Sequence, residues 1–274
     1  MGALDPLFAA TRAEGRAALV GYLPAGYPSV DESITLLRSM VAAGADLVEV
    51  GVPYSDPVMD GPTIQAAADA ALRGGFRLRD VFRVVEGVSS AGGRAVVMTY
   101  WNPVHRYGVS AFARDLAAAG GLGLITPDLV PDEADDWLAA SDEHGLERIF
   151  LLAPSSSEER IVRTVAATTG FVYAAAVMGV TGARATVGSA AAGLVERTRV
   201  HTDLPIGVGL GVRSGDQAAE LAGFADAVIV GSALVSRAAD GVDAVRSLTT
   251  ELAAGVRRPA VGAPVSANPG RRGA

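Results

Sequence analysis

Short runs of apolar, often β-branched residues recur along the chain, and longer amphipathic, alanine-rich segments separate them. Such runs between turn signals are typical of buried strands, and the segments between them are long enough for helices. The pattern predicts eight strands, at residues 18–22, 47–50, 95–99, 122–125, 149–152, 172–175, 206–208 and 227–230. It predicts helices at residues 33–43, 62–72, 79–90, 111–119, 131–143, 158–169, 190–199, 216–223 and 233–253.

Regular alternation of strands and helices builds a parallel sheet. Eight strands with eight crossovers favour a closed (βα)8 TIM barrel over a doubly wound sheet, and we expect a short N-terminal helix before it. No linker-like shift in composition interrupts the alternation, so residues 1–255 are predicted to form a single catalytic domain. Residues 256–274 are rich in Pro, Gly and Arg, which predicts a disordered C-terminal tail.

The composition restricts the possible partners. The 274 residues are 50% hydrophobic, and a net charge of −7 argues against nucleic acid or an anionic membrane as the main partner. Residues 1–16 contain no apolar run of the signal-peptide kind, and no stretch approaches the length of a membrane span. We therefore expect a soluble cytoplasmic protein.

Missing residue types exclude several kinds of chemistry. The chain has no cysteine, and all 23 basic residues are arginine, so thiol nucleophiles, zinc ribbons and lysine Schiff bases are excluded. His105, His144 and His201 stand far apart, so a histidine-rich metal site is not expected, although a carboxylate-bound Mg²⁺ stays open. Acid–base chemistry must therefore come mainly from Asp, Glu and Tyr.

Glu49 lies near the end of the second predicted strand. Because strand side chains alternate, Val48 and Val50 would face the helices and Glu49 would point into the space that the strands enclose. A buried carboxylate is costly, and no arginine stands near Tyr22 or Met98 on the neighbouring strand ends. We therefore expect a raised pKa that lets Glu49 both donate and accept protons near neutrality.

A second acid and a tyrosine have two open interpretations each. Asp60 comes directly before Gly61-Pro62 at a helix start, so it could cap the helix, contact a ligand or do both. Tyr173 could be an ordinary packing residue or could contact a ligand. Both positions fall at the carboxyl ends of the strands or in the loops after them, where TIM barrels carry their active sites.

Glycine-rich turns follow the last three predicted strands: Gly179-Val180-Thr181-Gly182, Gly207-Val208-Gly209-Leu210-Gly211 and Gly231-Ser232-Ala233. Glycine lets backbone N–H groups approach an anion, and a helix N-terminus favours negative charge. The alternative is that these glycines only permit tight strand-to-helix turns. Three clusters on adjacent strands favour a phosphate site.

Together these motifs identify a resemblance. The chain resembles the α subunit of tryptophan synthase from about residue 15 to 253, with motifs in order on nearly every strand. The matching pieces are residues 44–57, 60–65, 170–173, 179–182, 208–212 and 229–233. Tyr27, Val130 and Met59 are mild departures from the family pattern, and none of them removes a catalytic group.

The resemblance implies a lyase of tryptophan biosynthesis that cleaves indole-3-glycerol phosphate to indole and glyceraldehyde 3-phosphate without a metal or cofactor. It makes Glu49 the general acid–base and Asp60 the group that receives the indole N–H. The substrate-binding residues that it implies are Tyr173, Thr181 in a mobile loop, and a phosphate cradle of Gly182, Gly209, Gly211, Gly231 and Ser232.

The resemblance also implies a partner, a PLP-dependent β subunit in an α2β2 heterotetramer, which receives the indole through a tunnel for tryptophan synthesis. Pro53, Asp56 and Asn102 would face it. A stand-alone lyase that releases free indole remains an alternative. A non-catalytic activator is disfavoured because Glu49 and Asp60 are both present. Other phosphate-binding barrels fit poorly because they typically need an Asp pair, a Cys or a Lys.

Overall fold

The computed structural model describes residues 2–175 and 184–258, and for residues 184–187 it describes the backbone alone. Eight strands within these residues form a closed parallel barrel in chain order, and the last strand pairs with the first. They are β1 (Ala18–Pro24), β2 (Leu47–Gly51), β3 (Ala95–Met98), β4 (Gly123–Thr126), β5 (Glu147–Leu152), β6 (Val172–Ala175), β7 (Ile206–Gly209) and β8 (Ala227–Val230). The predicted fold is confirmed, and every predicted strand is present with its ends shifted by two residues at most.

Helices connect the strands on the outside. The described residues contain α1 (Asp5–Ala13), α2 (Val30–Ala42), α3 (Pro62–Arg73), α4 (Asp80–Ser89), α5 (Trp101–Tyr107), α6 (Val109–Ala118), α7 (Asp135–His144), α8 (Glu158–Ala167), α9 (Arg184–Arg199), α10 (Gly215–Ala222), α11 (Ser232–Ala238) and α12 (Val242–Val256). A 3-10 turn, Pro131–Glu133, precedes α7.

Two helix predictions were wrong. Residues 233–253 were predicted as one helix, but α11 and α12 are separate because Gly241 between them has a φ of +93°, which a right-handed helix does not allow. No helix was predicted within residues 100–108, yet they contain α5. That helix has only 7 residues and ends at Gly108, which has a φ of +96°, so it is too short to show a helical period in the sequence.

The barrel has two apolar layers, as the alternation in β2 predicts. Val48 and Val50 pack between the strands and the helices, whereas Leu47 belongs to the cluster inside the barrel. Leu7 and Phe8 of α1 also belong to this inner cluster. Helix α1 therefore closes the amino-terminal end of the barrel, and the carboxyl ends of the strands are left for the site.

Two aspartates, each directly before a strand, hydrogen-bond to the neighbouring strand and help to set the register of the pair. The Asp46 carboxylate, just before β2, accepts the N–H of Leu19 in β1 at 2.9 Å and is paired with Arg16. The Asp226 carboxylate, before β8, accepts the N–H of Ile206 in β7 at 2.9 Å in the same way. Each carboxylate satisfies a backbone donor at the end of a strand, where the ladder offers no partner.

The end of the described chain is part of the folded unit. Helix α12 ends at Val256, Arg257 donates to the carbonyl of Gly44, and Arg258 pairs with Asp216. Residues 259–274 of the predicted tail lie outside the described residues, so the boundary at residue 255 stays a prediction. Among the helices that the structure describes, none combines the length and the apolar character that a membrane crossing needs.

Candidate active site

Glu49 lies at the centre of the barrel. It stands in register with Tyr22 on β1 and with Val96 on β3, and it is 1% exposed. Its Oε1 atom is buried and has no hydrogen-bond partner among the described residues. This burial raises the pKa of the Glu49 carboxyl from 4.5 to about 8. The carboxyl therefore holds its proton at neutral pH and can release it close to neutrality.

Two tyrosines line the same space as Glu49. The hydroxyl of Tyr22 lies over Gly51, where an added Cβ atom would be 2.3 Å from the oxygen, and the hydroxyl of Tyr173 lies 2.6 Å from the equivalent position at Gly209. Burial, reinforced by the negative charges of Glu49 and Asp60, raises the pKa of both tyrosines well above the usual value. Both hydroxyls therefore stay protonated and can donate hydrogen bonds.

Asp60 does not cap a helix. The N-cap of α3 is Gly61, which carries no side-chain cap bond, so the capping interpretation of Asp60 was wrong. The Asp60 carboxyl is half-buried, and burial raises its pKa while a hydrogen bond with Tyr100 opposes that rise. Beside its hydrogen bond with Tyr100, the carboxyl keeps further acceptor sites that a ligand could use.

The loop that carries Asp60 is held by residues that follow β3. The Tyr100 hydroxyl accepts the Met59 N–H at 2.9 Å, and the Tyr100 ring stacks on Tyr54 with ring centroids 5.1 Å apart. Asn102 donates to the Tyr54 hydroxyl at 3.0 Å. These contacts fix the position of Asp60 relative to the barrel, and sequence reasoning did not predict them.

A cavity of about 470 Å³ opens at the carboxyl ends of the strands. Its lining brings together all the predicted catalytic and substrate-binding residues that the structure describes: Glu49, Asp60, Tyr173, Gly209, Gly211, Gly231 and Ser232. The predicted residues Thr181 and Gly182 lie outside the described residues. Sequence reasoning missed Tyr22, Met98, Leu151 and Arg213 in the lining. Tyr22 could have been found, because strand alternation points its side chain the same way as that of Val20, two residues before it in β1, which lies inside the barrel.

The glycines in the turns at one side of the cavity are there for different structural reasons. Gly211 has a φ of +65°, a left-handed conformation that favours glycine. Gly231 is the N-cap residue of α11, and Ser232 begins that helix. Gly209 leaves room for the Tyr173 ring, a reason for glycine that the sequence did not reveal. These turns and the start of α11 border the cavity, and backbone N–H groups at such positions are a common means of binding an anion.

The rim of the cavity exposes apolar surface. Val58 is 81% exposed and Met59 is 51% exposed, directly before Asp60. Of the predicted partner-facing residues, Asp56 and Asn102 are exposed, whereas Pro53 is buried in the isolated chain. The described residues contain no group of three or more His, Asp or Glu side chains that could hold a metal ion.

Comparison with known proteins places this geometry in a family. The family model for the tryptophan synthase alpha chain matches residues 8–261. The chain belongs to the tryptophan synthase alpha chain family. The alpha chain of Nocardia farcinica is 69% identical over 250 residues, covering 91% of this chain and 94% of that protein. The alpha chain of Mycobacterium marinum is 68% identical over 255 residues, covering 93% and 95%.

Solved structures agree with these relatives. A structure of Mycobacterium tuberculosis tryptophan synthase aligns with a TM-score of 0.90 at 63% identity, covering 94% of this chain and 99% of the other. A tryptophan synthase alpha subunit from Legionella pneumophila aligns with a TM-score of 0.85 at 29% identity, covering 93% and 98%.

As a tryptophan synthase alpha chain, the protein is a lyase of tryptophan biosynthesis that cleaves indole-3-glycerol phosphate to indole and glyceraldehyde 3-phosphate. Its family implies a β subunit as partner, and PLP belongs to that subunit. A stand-alone lyase is not favoured, because the high-identity relatives are tryptophan synthase alpha chains.

Proposed function

We propose that the cleavage takes place in the 470 Å³ cavity, with Glu49 as general acid–base and Asp60 as the partner of the indole N–H. The observation that carries this proposal is the Glu49 carboxyl, buried without a hydrogen-bond partner among the described residues and with its pKa raised to about 8. A general acid–base works best when its pKa is close to the working pH.

The roles follow from the chemistry of the bond that breaks. Glu49 gives its proton to C3 of the indole ring while Asp60 receives the N–H, which produces the indolenine form. The Glu49 carboxylate then takes the proton of the glycerol hydroxyl beside the ring, and the carbon–carbon bond breaks. The electron pair returns to the ring, Asp60 returns the proton to nitrogen, and indole and the aldehyde are formed. The raised pKa of Asp60 suits a carboxylate that accepts and returns a proton.

The rest of the lining suits the two ends of the substrate. Met98 and Leu151 provide apolar surface for a ring, and Tyr173 provides an aromatic wall with a neutral hydroxyl. The proposed phosphate cradle consists of backbone N–H groups at Gly182, Gly209, Gly211, Gly231 and Ser232, together with the Ser232 hydroxyl. Thr181 is proposed to close over the bound substrate. The reaction is proposed to need no cofactor on this chain.

We propose an α2β2 complex in which the rim of the cavity faces the β subunit, with Pro53, Asp56 and Asn102 in the interface. The exposed side chains of Val58 and Met59 support this, because apolar surface beside a polar loop is typical of a protein interface. Indole formation should then be measured with and without a β subunit. A rise of one decade or more with the partner supports the complex, and an unchanged rate contradicts it.

The catalytic proposal is tested with Glu49→Gln and Asp60→Asn. Losing a general acid–base typically costs about 10²- to 10⁴-fold in rate, so we expect a loss of that size in kcat for indole release by Glu49→Gln. Glu147→Gln is the matched control, because Glu147 is also a buried glutamate of the barrel but does not line the cavity. Activity of Glu49→Gln within threefold of the unmodified chain, with the control also active, would refute the role of Glu49.

A further inference from the structure

The charges around the cavity are unbalanced for an anionic substrate. Glu49 keeps its proton at neutral pH, so Asp60 supplies the acidic charge, and Arg213 is the cationic side chain among the lining residues that the structure describes. A substrate phosphate carries nearly two negative charges, so positive charge nearby would strengthen its binding beside Asp60. Backbone N–H groups provide only partial charges.

Arg213 has a fixed backbone and a free side chain. Its own N–H donates to Oε1 of Gln217 at 2.7 Å, and the hydroxyl of Ser214 caps α10 by accepting the Gln217 N–H. The backbone N–H of Arg213 is therefore already used. Its guanidinium, in contrast, has no ion pair or hydrogen bond with any described residue, whereas Arg237 on α11 is paired with Asp240.

We propose that the Arg213 guanidinium binds the phosphate of the substrate and thereby sets the affinity of the alpha chain for it. This inference rests on the proposed function of the cavity. A guanidinium can bind two phosphate oxygens with parallel hydrogen bonds, which adds a full charge to the backbone cradle. The phosphate lies away from the breaking bond, so the contact has the same strength in the ground state and in the transition state. Arg213 therefore acts on KM and leaves kcat unchanged.

The test compares Arg213→Gln with Arg213→Lys and with Arg237→Gln. Charged hydrogen bonds are strong enough that we expect Arg213→Gln to raise KM by about tenfold or more, with kcat within about threefold. Arg213→Lys keeps the charge and should recover much of the affinity. Arg237→Gln removes the same charge from the chain outside the cavity lining and should leave KM unchanged.

A second measurement does not depend on catalysis. Binding of glycerol 3-phosphate, followed by calorimetry, should weaken by about the same factor in Arg213→Gln and should become less sensitive to salt. A KM and a glycerol 3-phosphate affinity that both stay within twofold of the unmodified chain would overturn the role of Arg213 while leaving the proposed function intact. A lower kcat at constant KM would also overturn it. If the unmodified chain forms no indole, the proposed function fails instead.

Discussion

Replacing Glu49 with glutamine should make the stability of the chain less dependent on pH. The native state keeps the Glu49 proton up to about pH 8, whereas the unfolded chain loses it near the ordinary value of 4.5. Between these values the native state binds more protons, so the free energy of unfolding that this group contributes falls as pH rises. Glutamine keeps the neutral shape at every pH.

The size of the effect follows from the two pKa values. Each pH unit between them corresponds to about 1.4 kcal/mol. About 2.5 of these units lie between pH 5.5 and the native pKa of about 8. Between pH 5.5 and pH 8.5, the free energy of unfolding of Glu49→Gln should therefore rise by about 3 kcal/mol relative to that of the unmodified chain. This figure is of the right order for a carboxyl that is 1% exposed.

Urea unfolding of both chains at pH 5.5, 7.0 and 8.5 measures the difference directly, since the other titrating groups are common to both. The control is Val96→Ala, a neutral change beside Glu49 in the barrel, whose difference from the unmodified chain should not vary with pH. A Glu49→Gln difference that is the same at all three pH values would refute the argument that burial keeps this carboxyl protonated.

Three further outcomes are expected. Gly51→Ala should lower stability by about 1–3 kcal/mol in urea unfolding, because the new Cβ atom would lie 2.3 Å from the Tyr22 hydroxyl. Asp46→Asn should lower the free energy of unfolding by about 3 kcal/mol, because it breaks a largely buried ion pair. Asp69→Asn breaks an exposed pair and should lower it by less than about 1 kcal/mol, so equal losses would contradict the argument. The kcat/KM for indole formation should fall as pH rises above about 8, where Glu49 loses the proton that C3 needs, and a flat profile to pH 9 would contradict that role.

The strands and the direction of Glu49 could be predicted from sequence because both follow from local alternation. Val48 and Val50, which flank Glu49 in the strand, are apolar and face the helices outside the barrel. Because successive strand side chains point in opposite directions, the Glu49 side chain must point into the barrel. The absence of arginine near Tyr22 and Met98 then predicted the raised pKa correctly.

Contacts between distant loops could not be predicted in this way. The support of the Asp60 loop by Tyr100 joins residues 41 positions apart, and the closeness of Arg213 to the cavity depends on how β7 is followed by α10. Helix boundaries failed for a related reason. Gly241 ends one helix because of its backbone conformation, and the same residue type occurs inside other helices, such as Gly87 in α4.

Because α1 closes the amino-terminal end of the barrel, the cavity opens at the opposite end. Leu7 and Phe8 fill the amino-terminal end, so within the described residues the cavity communicates with its surroundings at the carboxyl ends of the strands. With the cleavage placed in this cavity, as proposed above, substrate would enter and indole would leave on the same side. In the proposed complex, a β subunit that receives indole before it escapes into water would cover this entrance, so its binding and release would also control the supply of substrate.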